Sequence, residues 1–169
     1  VEAECLYAGI MIVTRNFMNR TGVRTFEAAA FLRRCGADIT RVRKMFRDDM
    51  ESYRAKAEAM RRAEVYRKEY AIAECPSDIE SPTVLAAQTA NELLDISGIK
   101  ASFVLTVYEG KIYLSARSID EVNVQIITEK LGGGGHINSA GAQFAHTNVK
   151  EAIKMLKDTI DQMIEEGDI

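Results

Sequence analysis

Two short stretches carry residue types suited to holding phosphate: Gly132-Gly133-Gly134-Gly135-His136 and Ser115-Ala116-Arg117-Ser118. Four consecutive glycines are costly in backbone entropy, so they need a reason. Without side chains, successive amide N–H groups can converge on an anion, and backbone can approach a phosphate or ribose closely. His136 can donate to a phosphate oxygen, stack on a base, or carry a proton near neutral pH. Asn138 and Ser139 add short polar groups. A simple turn from helix to strand needs one or two glycines, rarely four and a histidine, so the run reads as a phosphate-binding loop. It is not a Walker loop, because no Lys-Ser/Thr follows, and not the dinucleotide fingerprint, because it follows a helix. In the second stretch, strand alternation places Ser115 and Arg117 on one face. A guanidinium there offers bidentate phosphate contact or stacking on a base; a plain surface arginine is the competing reading. Asn123 and Gln125 open the next helix, where amides often only cap.

The elements that must position these residues alternate in type. Val65 to Cys75 reads as a strand, Thr83 to Ile96 as a helix ending at Gly98, and Val122 to Leu131 as a helix leading into the glycines. Ala101 to Tyr108 and Lys111 to Ser118 read as strands joined by a tight hairpin at Glu109-Gly110. Ala140 to His146 reads as a further strand, and Asn148 as the cap of a last helix with Val149, Ile153, Leu156, Ile160 and Met163 on one face. The expected fold is therefore α/β, a small mixed sheet of about four strands with flanking helices.

Ahead of it stands a helical segment. Residues 2–9 read as a helix end and Ile10 to Thr14 as a short buried strand. Thr25 reads as the N-cap of a helix to Arg34, closed by Gly36. A long helix from Asp38 or Thr40 carries Ile39, Val42, Phe46, Met50, Tyr53, Ala57 and Met60 on one stripe. Its length and polarity suit a linker between two lobes, which sets the expected domains at 1–57 and 58–169.

The 169 residues are 47% hydrophobic and 28% charged, which suits a soluble globular chain and argues against disorder. The net charge of −3 is uneven: residues 15–68 hold 15 Lys/Arg against 7 Asp/Glu, and the remainder holds 7 against 18. A basic stretch beside an acidic domain suits a polyanionic ligand on the basic side. Cys5, Cys35 and Cys75 fit no zinc spacing and read as reduced thiols in a cytoplasmic protein. The apolar run from Cys5 to Thr14 is too short to span a bilayer and lacks the flanks of a signal peptide. Together with Val1 in first place, it reads as a chain starting inside a folded unit of a longer protein.

The motifs Ser-Ala-Arg-Ser, Asn-Val-Gln and Gly-Gly-Gly-Gly-His resemble the DHH-associated C-terminal domain of DHH-family phosphoesterases. Upstream, Ala8-Gly9-Ile10, Thr14, Asn16-Phe17, Arg20-Thr21-Gly22, Arg24 to Ala29 and Leu32 to Asp38 resemble the end of the DHH lobe itself. Arg-Thr-Gly and Asn-Val-Gln bring the chain nearest to the bacterial cyclic-di-AMP phosphodiesterases of GdpP type. The resemblance implies that Arg117 and His136 hold the terminal phosphate or base of a cyclic or linear dinucleotide, or of a short oligonucleotide. It implies that Gly133, Gly134 and Gly135 present amides to the phosphate, with Ser115, Asn138 and Arg20 as further contacts. It also implies pairing as a homodimer, membrane anchoring through an upstream segment, and a two-manganese centre that activates water. Most of the metal ligands would come from an upstream lobe. One aspartate is expected just before Thr14, where this sequence has Val13. The chain is accordingly expected to bind substrate and not to hydrolyse it alone. A nanoRNase or RecJ-like exonuclease domain and a non-catalytic nucleotide- or nucleic-acid-binding module are the competing readings.

Overall fold

A computed structural model of the chain describes residues 1–119 and 121–169. It divides into two compact units, Val1–Asp49 and Met50–Ile169, eight residues ahead of the boundary expected at 58.

The first unit is helical: α1 (Glu2–Val13), α2 (Val23–Arg34) and α3 (Ile39–Met45). The strand expected at Ile10 to Thr14 is the end of α1. A lone strand would leave its backbone groups without partners, whereas a helix satisfies them internally. Thr14 closes α1, its hydroxyl donating to the Ile10 carbonyl at 2.6 Å and accepting from the Phe17 amide at 3.0 Å. The chain then turns through Arg15, Asn16 and Phe17 with positive φ of 46°, 56° and 66°. Tyr7, Phe17 and Phe26 brace this turn, with ring centroids 6.0 and 5.5 Å apart. Helix α2 is capped at Gly22 rather than Thr25; the Thr25 hydroxyl instead accepts from the Gly22 amide at 3.3 Å.

The long helix expected from residue 38 to 60 is broken. Helix α3 ends at Met45, and α4 (Met50–Arg61) begins the second unit. Its apolar stripe continues across the break, but Asp48 and Asp49 favour caps over helix interiors.

The second unit is a mixed sheet between two helical layers. Its strands are β1 (Glu64–Tyr66), β2 (Tyr70–Glu74), β3 (Ala101–Tyr108), β4 (Lys111–Ser118), β5 (Gly134–His136) and β6 (Ser139–Phe144), in the order β1-β2-β3-β4-β6-β5. All neighbours are antiparallel except β2 and β3. Two strands more than expected arise from short hairpins. The stretch read as one strand, Val65 to Cys75, folds back through Arg67 and Lys68 at φ of 50° and 69°. The strand expected from Ala140, now β6, gains an edge partner, β5, from the glycine run.

Helix α5 (Pro82–Leu93) starts with proline in its first turn, where the missing N–H is no loss. Helices α6 (Val124–Lys130) and α7 (Val149–Glu166) are capped by the Asn123 and Asn148 side chains. One sheet face, with Phe103, Leu105, Leu114, Ala116 and Ala142, packs on Ile127 of α6 and on Leu156, Ile160 and Met163 of α7. The other face packs Ala71, Ala73 and Val104 against Ala59 of α4 and Leu85, Ala90 and Leu93 of α5. Lys56 of α4 is buried and pairs with Glu92 of α5 at 2.6 Å, fixing that layer. No described helix is long and apolar enough to cross a membrane.

Candidate functional site

The glycine run does three separate jobs. Gly132 takes φ 79° and ends α6, with its amide on the Glu129 carbonyl at 3.0 Å and the Gly133 amide on Thr128 at 2.8 Å. Gly133 and Gly135 lie against β6. A methyl at Gly133 would overlap the Gly141 carbonyl oxygen and the Cα of Ala142. At Gly135 it would come within 2.5 Å of the Ala140 Cα. Gly134 has open space around its Cα. The expected loop is therefore a three-residue edge strand, paired Gly134↔Gly141, Gly135↔Ala140 and His136↔Ser139. Amides of a strand point alternately to its two edges, so they do not converge on one anion as a loop could make them do. Close backbone approach explains two of the glycines, and alternate amides of β5 face the unpaired edge.

The register sets the side chains out in rows. On β4, Tyr113, Ser115 and Arg117 are half-buried, while Ile112, Leu114, Ala116 and Ser118 are buried on the opposite face. Ser115 and Arg117 do share a face. Across β4, β6 and β5 the first row reads Arg117–Ser139–His136, the second Ser115–Gly141–Gly134, and the third Tyr113–Gln143, beyond the end of β5. Directly opposed residues hold their Cβ atoms about 5 Å apart, so the first row sets a guanidinium, a hydroxyl and an imidazole side by side. His136 is exposed and Ser139 half-buried. The Arg117 guanidinium is steadied over β6, one nitrogen donating to the Ala116 carbonyl at 2.8 Å and reaching the Ala140 carbonyl at 3.5 Å. The second row is nearly bare of side chains.

Asn138 sits in the turn between β5 and β6. Its carbonyl accepts from the Ser118 amide at 3.2 Å, and its side-chain oxygen lies 3.5 Å from the Ser118 hydroxyl. The preceding carbonyl, Ile137, accepts from the Val124 amide at 2.9 Å. The turn that presents His136 is thus tied to both β4 and the start of α6. Asn123 caps α6 by accepting from the Gln125 and Ile126 amides, and Gln125 bonds Glu129 at 2.8 Å. Arg20 belongs to the first unit, where it is exposed at φ 51° in the turn before α2.

Among the described residues no group of three or more His, Cys, Asp or Glu is placed to hold a metal. Val13, where an aspartate was expected, is the last residue of α1 and 64% exposed. An alkyl side chain offers no lone pair, so the described residues do not fit a two-manganese centre. The three cysteines are free; Cys5 and Cys35 are exposed, while Cys75 is buried. Burial pushes the Cys75 thiol up, against the Thr89 hydroxyl at 3.4 Å, which keeps it unreactive.

Three residues of the open face were not singled out from sequence as parts of one surface: Ser139, Tyr113 and Gln143. The β4 alternation that picks out Arg117 and Ser115 also picks out Tyr113, but the β4–β6 register that adds the other two is a tertiary fact.

The family model described as the DHHA1 domain matches residues 68–165. The chain is 42% identical over 162 residues to a protein of Listeria monocytogenes named cyclic-di-AMP phosphodiesterase PdeA, covering 95% of this chain and 25% of that one. It is 42% identical over 170 residues to the Bacillus subtilis cyclic-di-AMP phosphodiesterase GdpP, covering 99% and 26%. The chain thus spans about a quarter of the length of these relatives. An exopolyphosphatase-related protein from Bacteroides fragilis shares the fold, with a TM-score of 0.83 at 22% identity, over 95% of this chain and 50% of that one. With the matched region running from the β1–β2 turn into the last turns of α7, this chain belongs to the DHHA1 domain family.

Proposed function

We propose that the open face of β4, β6 and β5 is the substrate-binding surface of a cyclic-di-AMP phosphodiesterase. It grips the cyclic dinucleotide and its linear product pApA, and the hydrolytic step belongs to another part of a longer protein. The row Arg117–Ser139–His136 carries this reading. A guanidinium with an exposed imidazole and hydroxyl beside it matches the oxygens of a phosphate. The side-chain-poor row of Ser115, Gly141 and Gly134 lets a sugar-phosphate lie close to the backbone. An outward amide of Gly134 or Gly135 adds a neutral donor at the strand edge, the Gly133 amide being spent on the Thr128 carbonyl, and Asn138 holds the turn in place. The names of relatives 42% identical over almost the whole chain support the choice of substrate. Manganese is assigned to the longer protein, with no ligand from Val13.

Calorimetric titration with pApA tests the assignment. A hydrogen bond to a charged group contributes about 1.5–3 kcal/mol, so Arg117→Ala should raise Kd roughly tenfold or more, with His136→Ala similar or smaller. Unchanged affinity in both variants would sink the reading. Arg20→Ala tests the first-unit candidate by itself. Tighter binding of short oligoribonucleotides than of pApA would favour the nanoRNase reading, and binding that falls steeply with salt at no particular sequence would favour a general nucleic-acid module.

A further inference from the structure

The third row lies outside the phosphate-holding residues, and its chemistry differs. Tyr113 on β4 and Gln143 on β6 are directly opposed on the open face. Tyr113 is half-buried, with its ring edge-on to Tyr108 at 6.0 Å, and Gln143 is exposed. Strand β5 accompanies β6 only as far as Gly141, so beyond it the edge of β6 has no strand partner. A cleft of about 360 Å³ opens there, walled by Tyr113, Gly132, Gly133, Gly141 and Gln143. An aromatic ring, a side-chain amide and a wall of bare backbone are what a flat heterocycle needs: a face to lie on, an edge to read, and room to enter.

Spacing links this cleft to the first row. Arg117 and Tyr113 are four residues apart on one strand face, about 13 Å at the rise of a strand. A phosphate held by Arg117 and His136 leaves its ribose over the bare row of Ser115 and Gly141. The base then reaches Tyr113 and Gln143. A glutamine amide donates and accepts side by side, which pairs bidentately with the amino group and ring nitrogen of adenine. We propose that Tyr113 and Gln143 form a base subsite that selects adenine, Tyr113 packing on the ring and Gln143 reading its edge. This deepens the functional reading above and rests on it.

The test uses the whole chain, titrated with pApA, pGpG and ribose 5-phosphate. The chain should bind pApA more tightly than pGpG. Tyr113→Leu should weaken pApA about tenfold, while Tyr113→Phe, which keeps the ring and guards against misfolding, should not. Gln143→Ala should erase the difference between pApA and pGpG. Gln143→Glu should reverse it, because a carboxylate accepts from the ring N–H and amino group of guanine and repels the acceptor nitrogens of adenine. Ribose 5-phosphate should bind all four variants as it binds the parent. If these variants bind pApA and pGpG like the parent while Arg117→Ala loses both, the base subsite is refuted and the phosphate row stands. If Arg117→Ala, His136→Ala and the Tyr113 and Gln143 variants all bind like the parent, both readings are refuted.

Discussion

Replacing each glycine of β5 by alanine separates two reasons for their presence. At Gly135 the added methyl would stand 2.5 Å from the Ala140 Cα and 2.6 Å from the Ser139 carbonyl oxygen, both backbone atoms that no rotamer change can move. The residue also sits at φ 152°, a conformation that side-chain-bearing residues rarely adopt. Overpacking of this kind costs about 1–3 kcal/mol, and the unfavourable backbone conformation adds roughly 1 kcal/mol. A loss of about 2–4 kcal/mol follows, enough to lower a urea midpoint by roughly 1–2 M at an m of about 2 kcal/mol/M. Gly134→Ala meets nothing within 4 Å, and its expected change is within about ±0.5 kcal/mol, where surface substitutions usually fall. Urea unfolding followed by circular dichroism, with pApA titration of each folded variant, gives both readouts. Gly134→Ala should keep stability and weaken pApA binding, because its methyl would enter the bare row that carries the sugar-phosphate, whereas Gly135→Ala should lose stability first. Equal destabilisation by the two would refute the packing explanation. Unchanged pApA binding in Gly134→Ala would show that the ligand does not need bare backbone at that point.

Three further outcomes are expected. Leu156, fully buried between α7 and the sheet, should cost about 2–5 kcal/mol on truncation to alanine, read as a fall in Tm. Asn148→Ala removes the acceptor for the Glu151 amide at 2.9 Å and should cost about 1 kcal/mol in the same assay. The Arg67 guanidinium and the Tyr66 hydroxyl hold the Asp161 carboxyl below the usual carboxylate range. Because its folded value is the lower one, the stabilisation is present above the unfolded pKa of about 3.9 and is lost as pH falls from there through the folded value. Asp161→Asn should therefore flatten the acid limb of a stability–pH curve while changing little of its shape above pH 6.

The elements legible in the sequence are those whose signals are local. The β3–β4 hairpin follows from alternation on both sides of Glu109-Gly110, and both turn residues take the positive φ such a turn needs, 48° and 72°. Asn123 and Asn148 mark true helix starts for the same reason: a cap is made within three residues. The β1–β2 turn carries no local sequence signal, because it places Arg67 and Lys68, not glycine or asparagine, at positive φ. The α3–α4 break lies inside an unbroken apolar stripe, where periodicity speaks for continuity and only the paired aspartates speak against it. At the site, alternation gave the common face of Ser115 and Arg117. It could not give Ser139 and His136 as their neighbours, because the turn between them docks through Ile137 and Asn138 on Val124 and Ser118, residues 13 and 20 positions upstream.

The two-residue turns at Glu109-Gly110 and Ile137-Asn138 also bear on the order of assembly. Strands β3 and β4 lie at the centre of the sheet and close across a two-residue turn, as β5 and β6 do, whereas β2 must meet β3 around α5, and β6 must meet β4 around α6 and β5. Short loops close first and long ones later. The two hairpins therefore close early, and the strand bearing His136 enters the sheet already paired to β6, when the longer β4–β6 connection closes. In reverse, the same strand is the first to leave: it has one neighbour, three residues and no large side chain to anchor it. The margin that carries the imidazole can open while the centre stays closed, so loss of grip on a ligand need not wait for the domain to unfold.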